Sequence, residues 1–275
     1  MSATTQSICF IGAGNMATSL IGGLVANGHD PAMITACDIN TEQLQQLSEY
    51  FGVTTSADSR AAAATADTII LAVKPQILRS VCETLADLPD NPEQLFISIA
   101  AGIPTRAIDD WLGTGRALVR CMPNTPALLQ LGATGLFANV RVSTAQQTSA
   151  QQILDAVGIC LWVGEEDALD AVTAISGSGP AYFFYFIECL QAAGVKLGLP
   201  EEIAGKLARQ TALGAATMAL EDDVVKLRHQ VTSKKGTTEQ AILSFETNQL
   251  QRLVNEATGA AANRARELAQ ELTSG

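Results

Sequence analysis

The sequence predicts an α/β domain, built on a doubly wound parallel sheet, followed by an all-helical domain. Three observations carry that reading. An apolar run over residues 7–20 breaks at two glycines and resumes with helical spacing. Further apolar runs each stop at a short turn of small residues or proline. Beyond Ala168, helical spacing replaces those runs almost everywhere.

Residues 7–20 read as strand, tight turn and helix. Gly12 lets the chain reverse, and Gly14, having no side chain, lets a pyrophosphate lie against backbone N–H groups at the positive end of the new helix. Ala17 takes the third place of a G-x-G-x-x-A pattern. Such a pattern alone is weak, but with strand and helix legible on either side it favours a dinucleotide site over a merely structural turn.

Residues 32–38 read as a second strand ending in Asp38, 24 positions beyond Gly14 and near the place of a ribose-binding acid. Asp38 also suits a cap on the helix beginning near Thr41, and the two roles are compatible. No lysine or arginine occurs from Ile34 to Ser48, so this segment alone favours NAD over NADP.

Residues 67–73 form a continuous apolar run, the mark of a parallel strand covered on both faces, and stop at Lys74-Pro75-Gln76. The carboxyl edge of such a sheet faces the ligand, so Lys74 is a candidate contact, an ordinary exposed lysine being the alternative. Residues 95–100 repeat the pattern before Ala101-Gly102, and residues 117–122 do so before Pro123-Asn124-Thr125-Pro126. The boundary falls after residue 166, giving domains 1–166 and 167–275.

In the second domain, residues 181–195, 201–220, 239–245 and 250–272 carry helical spacing. Their many alanines and glycines allow close helix approach but leave a thin core. That composition points to burial against a second subunit, with a closely packed monomeric bundle as the alternative. Two polar loops interrupt the helices. Ser176-Gly177-Ser178-Gly179-Pro180 breaks and restarts one, with Pro180 in a first turn. Val231-Thr232-Ser233-Lys234-Lys235-Gly236-Thr237-Thr238-Glu239 runs into another, with Thr238 as a natural N-cap whose surroundings would receive a small carboxylate.

With 275 residues, 47% of them hydrophobic, the chain can bury a substantial core. A formal charge of −11, from 17 basic and 28 acidic residues, argues against nucleic acid or an anionic membrane as partner. No apolar stretch reaches a membrane span, and residues 1–6 lack the character of a signal peptide, so a soluble cytoplasmic protein is expected. The six cysteines are scattered singly and only His29 and His229 could join them on a metal. They read as reduced core residues, with neither zinc nor disulfides expected.

Gly12-Ala13-Gly14-Asn15-Met16, Ala72-Val73-Lys74-Pro75-Gln76, Met122-Pro123-Asn124-Thr125-Pro126, Ser176-Gly177-Ser178-Gly179-Pro180-Ala181-Tyr182, and Val231-Thr232-Ser233 with Gly236-Thr237-Thr238 resemble, in the same order, the motifs of pyrroline-5-carboxylate reductases. The resemblance covers essentially the whole chain. It implies an amino-terminal Rossmann domain, a helical domain that interlocks in a homodimer, sometimes within larger rings, and reduction of 1-pyrroline-5-carboxylate to L-proline by NADPH or NADH.

Carried over by position, the resemblance implies that Ile11, Gly12, Ala13, Gly14, Asn15 and Met16 cradle the pyrophosphate and that Asp38 and Asn40 lie by the adenosine ribose. Ala72, Val73, Lys74, Pro75, Ile99, Ala100 and Ala101 would line the cofactor groove, and Ser178 and Gly179 would bring backbone towards the nicotinamide. Ser233, Gly236, Thr237 and Thr238 would hold the substrate, Thr238 as the catalytic hydrogen-bonding group at the ring nitrogen, and Glu165 falls where the family has a substrate-side acid. The chain departs from the family at two places. Ser233-Lys234-Lys235-Gly236 stands where Ser-Pro-Gly-Gly is usual, and Asp38-Ile39-Asn40 stands where NADP users commonly carry hydroxyl or basic groups. The rival readings are a hydroxy-acid dehydrogenase of the same plan, for which the only general acid with a clear place, Lys74, lies on the wrong domain, and a dinucleotide sensor without catalysis.

Overall fold

The computed structural model describes residues 6–273. Its first part alternates strand and helix: β1 (Ile8–Ile11), α1 (Asn15–Ala26), β2 (Ile34–Cys37), α2 (Thr41–Phe51), β3 (Thr54–Ser56), α3 (Ser59–Thr65), β4 (Thr68–Leu71), α4 (Pro75–Leu85), β5 (Leu95–Ser98), α5 (Thr105–Trp111) and β6 (Ala117–Met122). Then come β7 (Gly132–Ala138), α6 (Thr144–Asp155), β8 (Gly158–Trp162) and a short α7 (Ala168–Val172). The rest is helical: α8 (Gly179–Lys196), α9 (Glu201–Glu221), α10 (Val224–Gln230), α11 (Thr237–Thr247) and α12 (Leu250–Thr273).

The eight strands form one sheet in the order β3-β2-β1-β4-β5-β6-β7-β8. The first six pair in parallel, as expected. β7 runs antiparallel to β6, so the doubly wound sheet is not parallel throughout, and β8 then pairs with β7 in parallel. The chain crosses from β3 at one edge back to β4 beside β1. That reversal opens a crevice at the carboxyl ends of β1 and β4, where sheets of this kind bind their ligands.

The continuous apolar runs have a simple cause. Ile8 and Phe10 of β1, Ile70 of β4, and Leu95 and Ile97 of β5 fill a core on one face. Cys9, Ile11, Ile69, Leu71 and Phe96, their neighbours along the strands, fill a second core on the other. A strand covered on both faces has no polar side to alternate with.

The chain forms two compact units. One comprises the described residues up to Ser178 together with those from Ala261 onward, and the other is Gly179–Ala260. The division after Ser178 lies beyond the boundary expected after residue 166, because α7 packs on β7, where Val172 and Leu169 press against Gly135. The end of α12 joins the first unit through Leu272, which packs against the second core.

The two units differ in burial. In the helical unit the fully buried residues are Gly179, Ala204, Gly205 and Ala208. On α8, Phe183, Phe184 and Tyr185 are each about two-thirds exposed in the single chain (70%, 66% and 67%). Cys189, on the same helix, is exposed, so it is not the core residue the sequence suggested; the other five cysteines are buried. Among these, Cys9 and Cys37 lie 3.9 Å apart between their sulfurs, and burial pushes the Cys82 thiol up to about 12. Among the described residues no group of side chains is arranged to hold a metal ion, and no helix is long and apolar enough to cross a membrane.

Candidate active site

The glycine loop follows β1 directly. Gly12 has φ +103°, and a Cβ there would stand 2.6 Å from the carbonyl oxygen of Ala72, so the approach of this loop to the end of β4 requires glycine. The Gly12 N–H donates to Cys37 O (2.8 Å) and the Ala72 N–H to Ile11 O (2.8 Å), which ties the ends of β1, β2 and β4 together. At Gly14, the N-cap of α1, a Cβ would meet nothing within 4 Å, and no side chain caps the helix. The first turn of α1 therefore presents uncapped N–H groups at its positive end, with Gly14 and Asn15 exposed. That is the chemistry a pyrophosphate requires, and the residues fit a dinucleotide.

Asp38 is built into this loop. Its Oδ2 accepts the Ala13 N–H (2.7 Å) and its Oδ1 accepts the Asn40 N–H (2.9 Å). It does not cap α2. Asn40 does, its Oδ1 accepting from the N–H groups of Glu42 and Gln43. The cap moved because Asp38 sits one residue past the end of β2, where its carboxylate reaches across to the glycine loop instead of forward to the helix. Between α2 and the end of β3 runs a groove whose lining includes Thr41, Gln45, Ser48, Thr55 and Ser56, with no lysine or arginine.

Along the same edge, Ala72 and Val73 are half-buried and Lys74 is exposed at the N-cap of α4, with Pro75 opening the helix. Ile99 is half-buried, Ala100 is buried in the second core, and Ala101 is exposed. The ends of β1, β2, β4 and β5 thus bring together all the predicted cofactor residues from Ile11 to Ala101. The methyl group of Ala100 is packed into the second core.

The resemblance places a substrate-side acid at Glu165, and the acid beside it is the one tied into the fold. Glu165 is exposed. Glu166 accepts the Thr105 N–H (2.7 Å) and the Thr105 hydroxyl (2.8 Å), and pairs with Arg120 at 3.0 Å. It supplies the cap that α5 lacks from its own residues, since Pro104 precedes the helix. Arg120 is buried in β6, and an arginine inside an apolar strand run was the available signal for a buried carboxylate partner. Nearby, burial raises the Asp170 carboxyl, opposed by the positive charges of Arg120 and Arg266.

Asn124, in the Met-Pro-Asn-Thr-Pro motif, is also buried. Its Nδ2 donates to Ser176 O (2.9 Å) and its Oδ1 accepts the Ala133 N–H (2.9 Å). It anchors a π turn, Thr173–Gly177, closed by the Ser178 N–H donating to Thr173 O (2.8 Å). Such turns recur at functional sites. Ser178 ends this unit and Gly179 opens α8, with Pro180 in its first turn as expected.

In the helical unit, the loop before α11 is a tight turn in which the Gly236 N–H donates to Ser233 O (2.9 Å). Gly236, not Thr238, is the N-cap, and Thr238 lies in the first turn. The physical reason is contact: a Cβ on Gly236 would stand 2.5 Å from the Ser233 hydroxyl, so only glycine lets that side chain close over the cap. Ser233, Thr237 and Thr238 are exposed, beside uncapped N–H groups. Of the acids before the loop, Asp223 caps α10 by accepting the Lys226 N–H, and Glu221 ends α9.

A family model described as pyrroline-5-carboxylate reductase dimerisation matches residues 166–268, and one described as NADP oxidoreductase, coenzyme F420-dependent, matches residues 7–102. A pyrroline-5-carboxylate reductase of Pseudomonas aeruginosa is 52% identical over 271 residues, covering 98% of this chain and 99% of its own. The chain belongs to the pyrroline-5-carboxylate reductase family. The structure of a family member from Coxiella burnetii, 48% identical, matches with a TM-score of 0.93 over 96% of this chain and 99% of that one. The Plasmodium falciparum pyrroline carboxylate reductase, solved with NADP bound, matches with a TM-score of 0.82 at 28% identity, over 98% and 100%.

Proposed function

We propose that this chain reduces 1-pyrroline-5-carboxylate to L-proline with NAD(P)H, the last step of proline biosynthesis. The observation that carries the reading is the end-to-end likeness to a pyrroline-5-carboxylate reductase at 52% identity. The reaction converts a C=N bond to CH–NH, one carbon gaining a hydride and the nitrogen a proton. Bound NAD(P)H supplies the hydride.

The chain's own residues bind and orient. Ile11, Gly12, Ala13, Gly14, Asn15 and Met16 hold the pyrophosphate, Asp38 and Asn40 stand by the ribose, and Ala72 to Pro75 with Ile99 to Ala101 line the groove. Ser178 and Gly179 offer backbone to the nicotinamide. Ser233, Gly236 and Thr237 hold the carboxylate, and the Thr238 hydroxyl bonds to the ring nitrogen, donating or accepting as its protonation changes. A protonated imine is already electrophilic, so alignment of the two reactants is the main demand on the protein. Glu165 remains the substrate-side acid of this scheme, with Glu166 holding the chain beside it.

The enzyme works as a homodimer, alone or within a ring of dimers, in the cytoplasm. The dimerisation model and the exposed aromatic stretch of α8 support the dimer. Absorbance of NADH or NADPH, followed with pyrroline-5-carboxylate and paired with detection of proline, tests the function. One proline formed per cofactor oxidised is expected. Binding of reduced cofactor without oxidation would favour the sensor, and oxidation only with keto acids would favour the dehydrogenase.

A further inference from the structure

The turn that shapes the substrate loop is held in an unfavourable conformation by the acid that follows it in the first turn of α11. Ser233, Lys234, Lys235 and Gly236 form a four-residue turn in which Lys235 alone of the central pair has positive φ, +61°. That sign pattern belongs to a type II turn, whose preferred central residues are proline and glycine. This chain has two lysines there, and a lysine in the left-handed region is disfavoured by contact of its Cβ with backbone. The compensation is visible in the first turn of α11. Glu239 reaches back so that its Oε2 accepts the Lys235 N–H at 2.7 Å.

We propose that Glu239 is a positioning residue for the substrate. Its carboxylate fixes Lys235 in the left-handed conformation, and this fixes where Gly236, the Ser233 hydroxyl and the first-turn N–H groups of α11 stand. The same arrangement sets the charge of the loop, since the side chains of Lys234 and Lys235 offset Glu239 beside a site meant for an anion. The inference rests on the substrate role given above to Ser233, Gly236, Thr237 and Thr238. Glu239 itself acts through the turn and touches no reacting atom.

The test is a double-mutant cycle on the full-length enzyme. Glu239→Ala should raise KM for pyrroline-5-carboxylate about ten-fold, with KM for the cofactor within about two-fold. In a Lys235→Gly background, where positive φ needs no support, the same change should raise KM less than about two-fold. Glu239→Gln, which keeps an acceptor oxygen and loses the charge, should stay within about three-fold of the unmodified enzyme. An unchanged KM in Glu239→Ala, an equal rise in both backgrounds, or a parallel rise in cofactor KM would each overturn the proposal. Amide hydrogen exchange at Lys235, measured without substrate, should quicken in Glu239→Ala. That readout separates failure of the turn argument from failure of the assigned activity, because it requires no turnover.

Discussion

The sheet unit and the helical unit answer the problem of stability in opposite ways. Each face of the sheet covers its own core, and strands such as β1 and β4 are buried along their whole length. In the helical unit only two alanines and two glycines are buried within one chain, while Phe183, Phe184 and Tyr185 face outward. Exposed aromatic area of this kind marks an interaction surface. The nucleotide-binding half therefore carries the means of its own folding, while the half bearing Ser233 to Thr238 leaves most of its apolar area uncovered within one chain, as the proposed dimer requires.

If the two halves divide the work in this way, a change in one should spare the other. Thr238→Ala, in the helical unit, should lower turnover about 10- to 1000-fold, the cost of one hydrogen bond made at the reacting nitrogen. Cofactor affinity, read by fluorescence titration with NADH, should stay within about two-fold. A turnover within about two-fold of the unmodified enzyme would remove Thr238 from the mechanism.

Gly12→Ala should produce the mirror result. The new methyl group would press on the Ala72 carbonyl where the chain already has positive φ, a strain of about 1 to 3 kcal/mol that the loop relieves by shifting away from β4; cofactor affinity should then fall about 10- to 100-fold. Sedimentation should show association of the helical unit unaltered. Loss of association together with cofactor binding would mean that the halves are not independent.

The smallest effect expected concerns cofactor choice. Asp38 lies by the proposed ribose site with no basic residue near it in sequence, and a carboxylate there repels a 2′-phosphate by about 1 to 2 kcal/mol. NADH should therefore serve this enzyme better than that site in an NADP user would allow. Ile39 is almost fully exposed, so an arginine fits there without repacking. Asp38→Ser with Ile39→Arg should shift the ratio of kcat/KM values about ten-fold towards NADPH. Because Asp38 also holds the Ala13 N–H, some loss with both cofactors should accompany the shift. A ratio that does not move would mean that a basic residue from elsewhere in the fold reaches the phosphate.

The contrast between the units also explains which features were legible in the sequence. Strands β1, β2, β4, β5 and β6 announced themselves because burial on both faces demands predominantly apolar runs, interrupted by Thr35 in β2 and Arg120 in β6. β3 is a three-residue threonine and serine segment at the sheet edge, and β7 and β8 begin at glycines, with Ile159 and Leu161 of β8 exposed, so none carries that signature. The long helices were read to within a few residues of their ends. Local choices among neighbours were less legible. Asn40 caps α2 because the Asp38 carboxylate is taken by the glycine loop, and Gly236 caps α11 because the Ser233 hydroxyl leaves no room for a Cβ there; neither contact shows in local spacing.

Dilution tests the central claim most directly, and the placement of the tryptophans makes the two units separately visible. Trp111 and Trp162 both lie in the sheet unit, so their fluorescence reports on it alone, while far-ultraviolet circular dichroism reports on the helices of both units; a fall in ellipticity with the tryptophan emission unchanged therefore assigns the loss to the helical unit. As the enzyme is diluted, helical ellipticity and turnover per chain should fall together, with the tryptophan emission maximum unchanged, because the helical unit loses its covering copy and the sheet unit keeps its core. A monomer, identified by light scattering, that retains full ellipticity and full turnover would contradict the account.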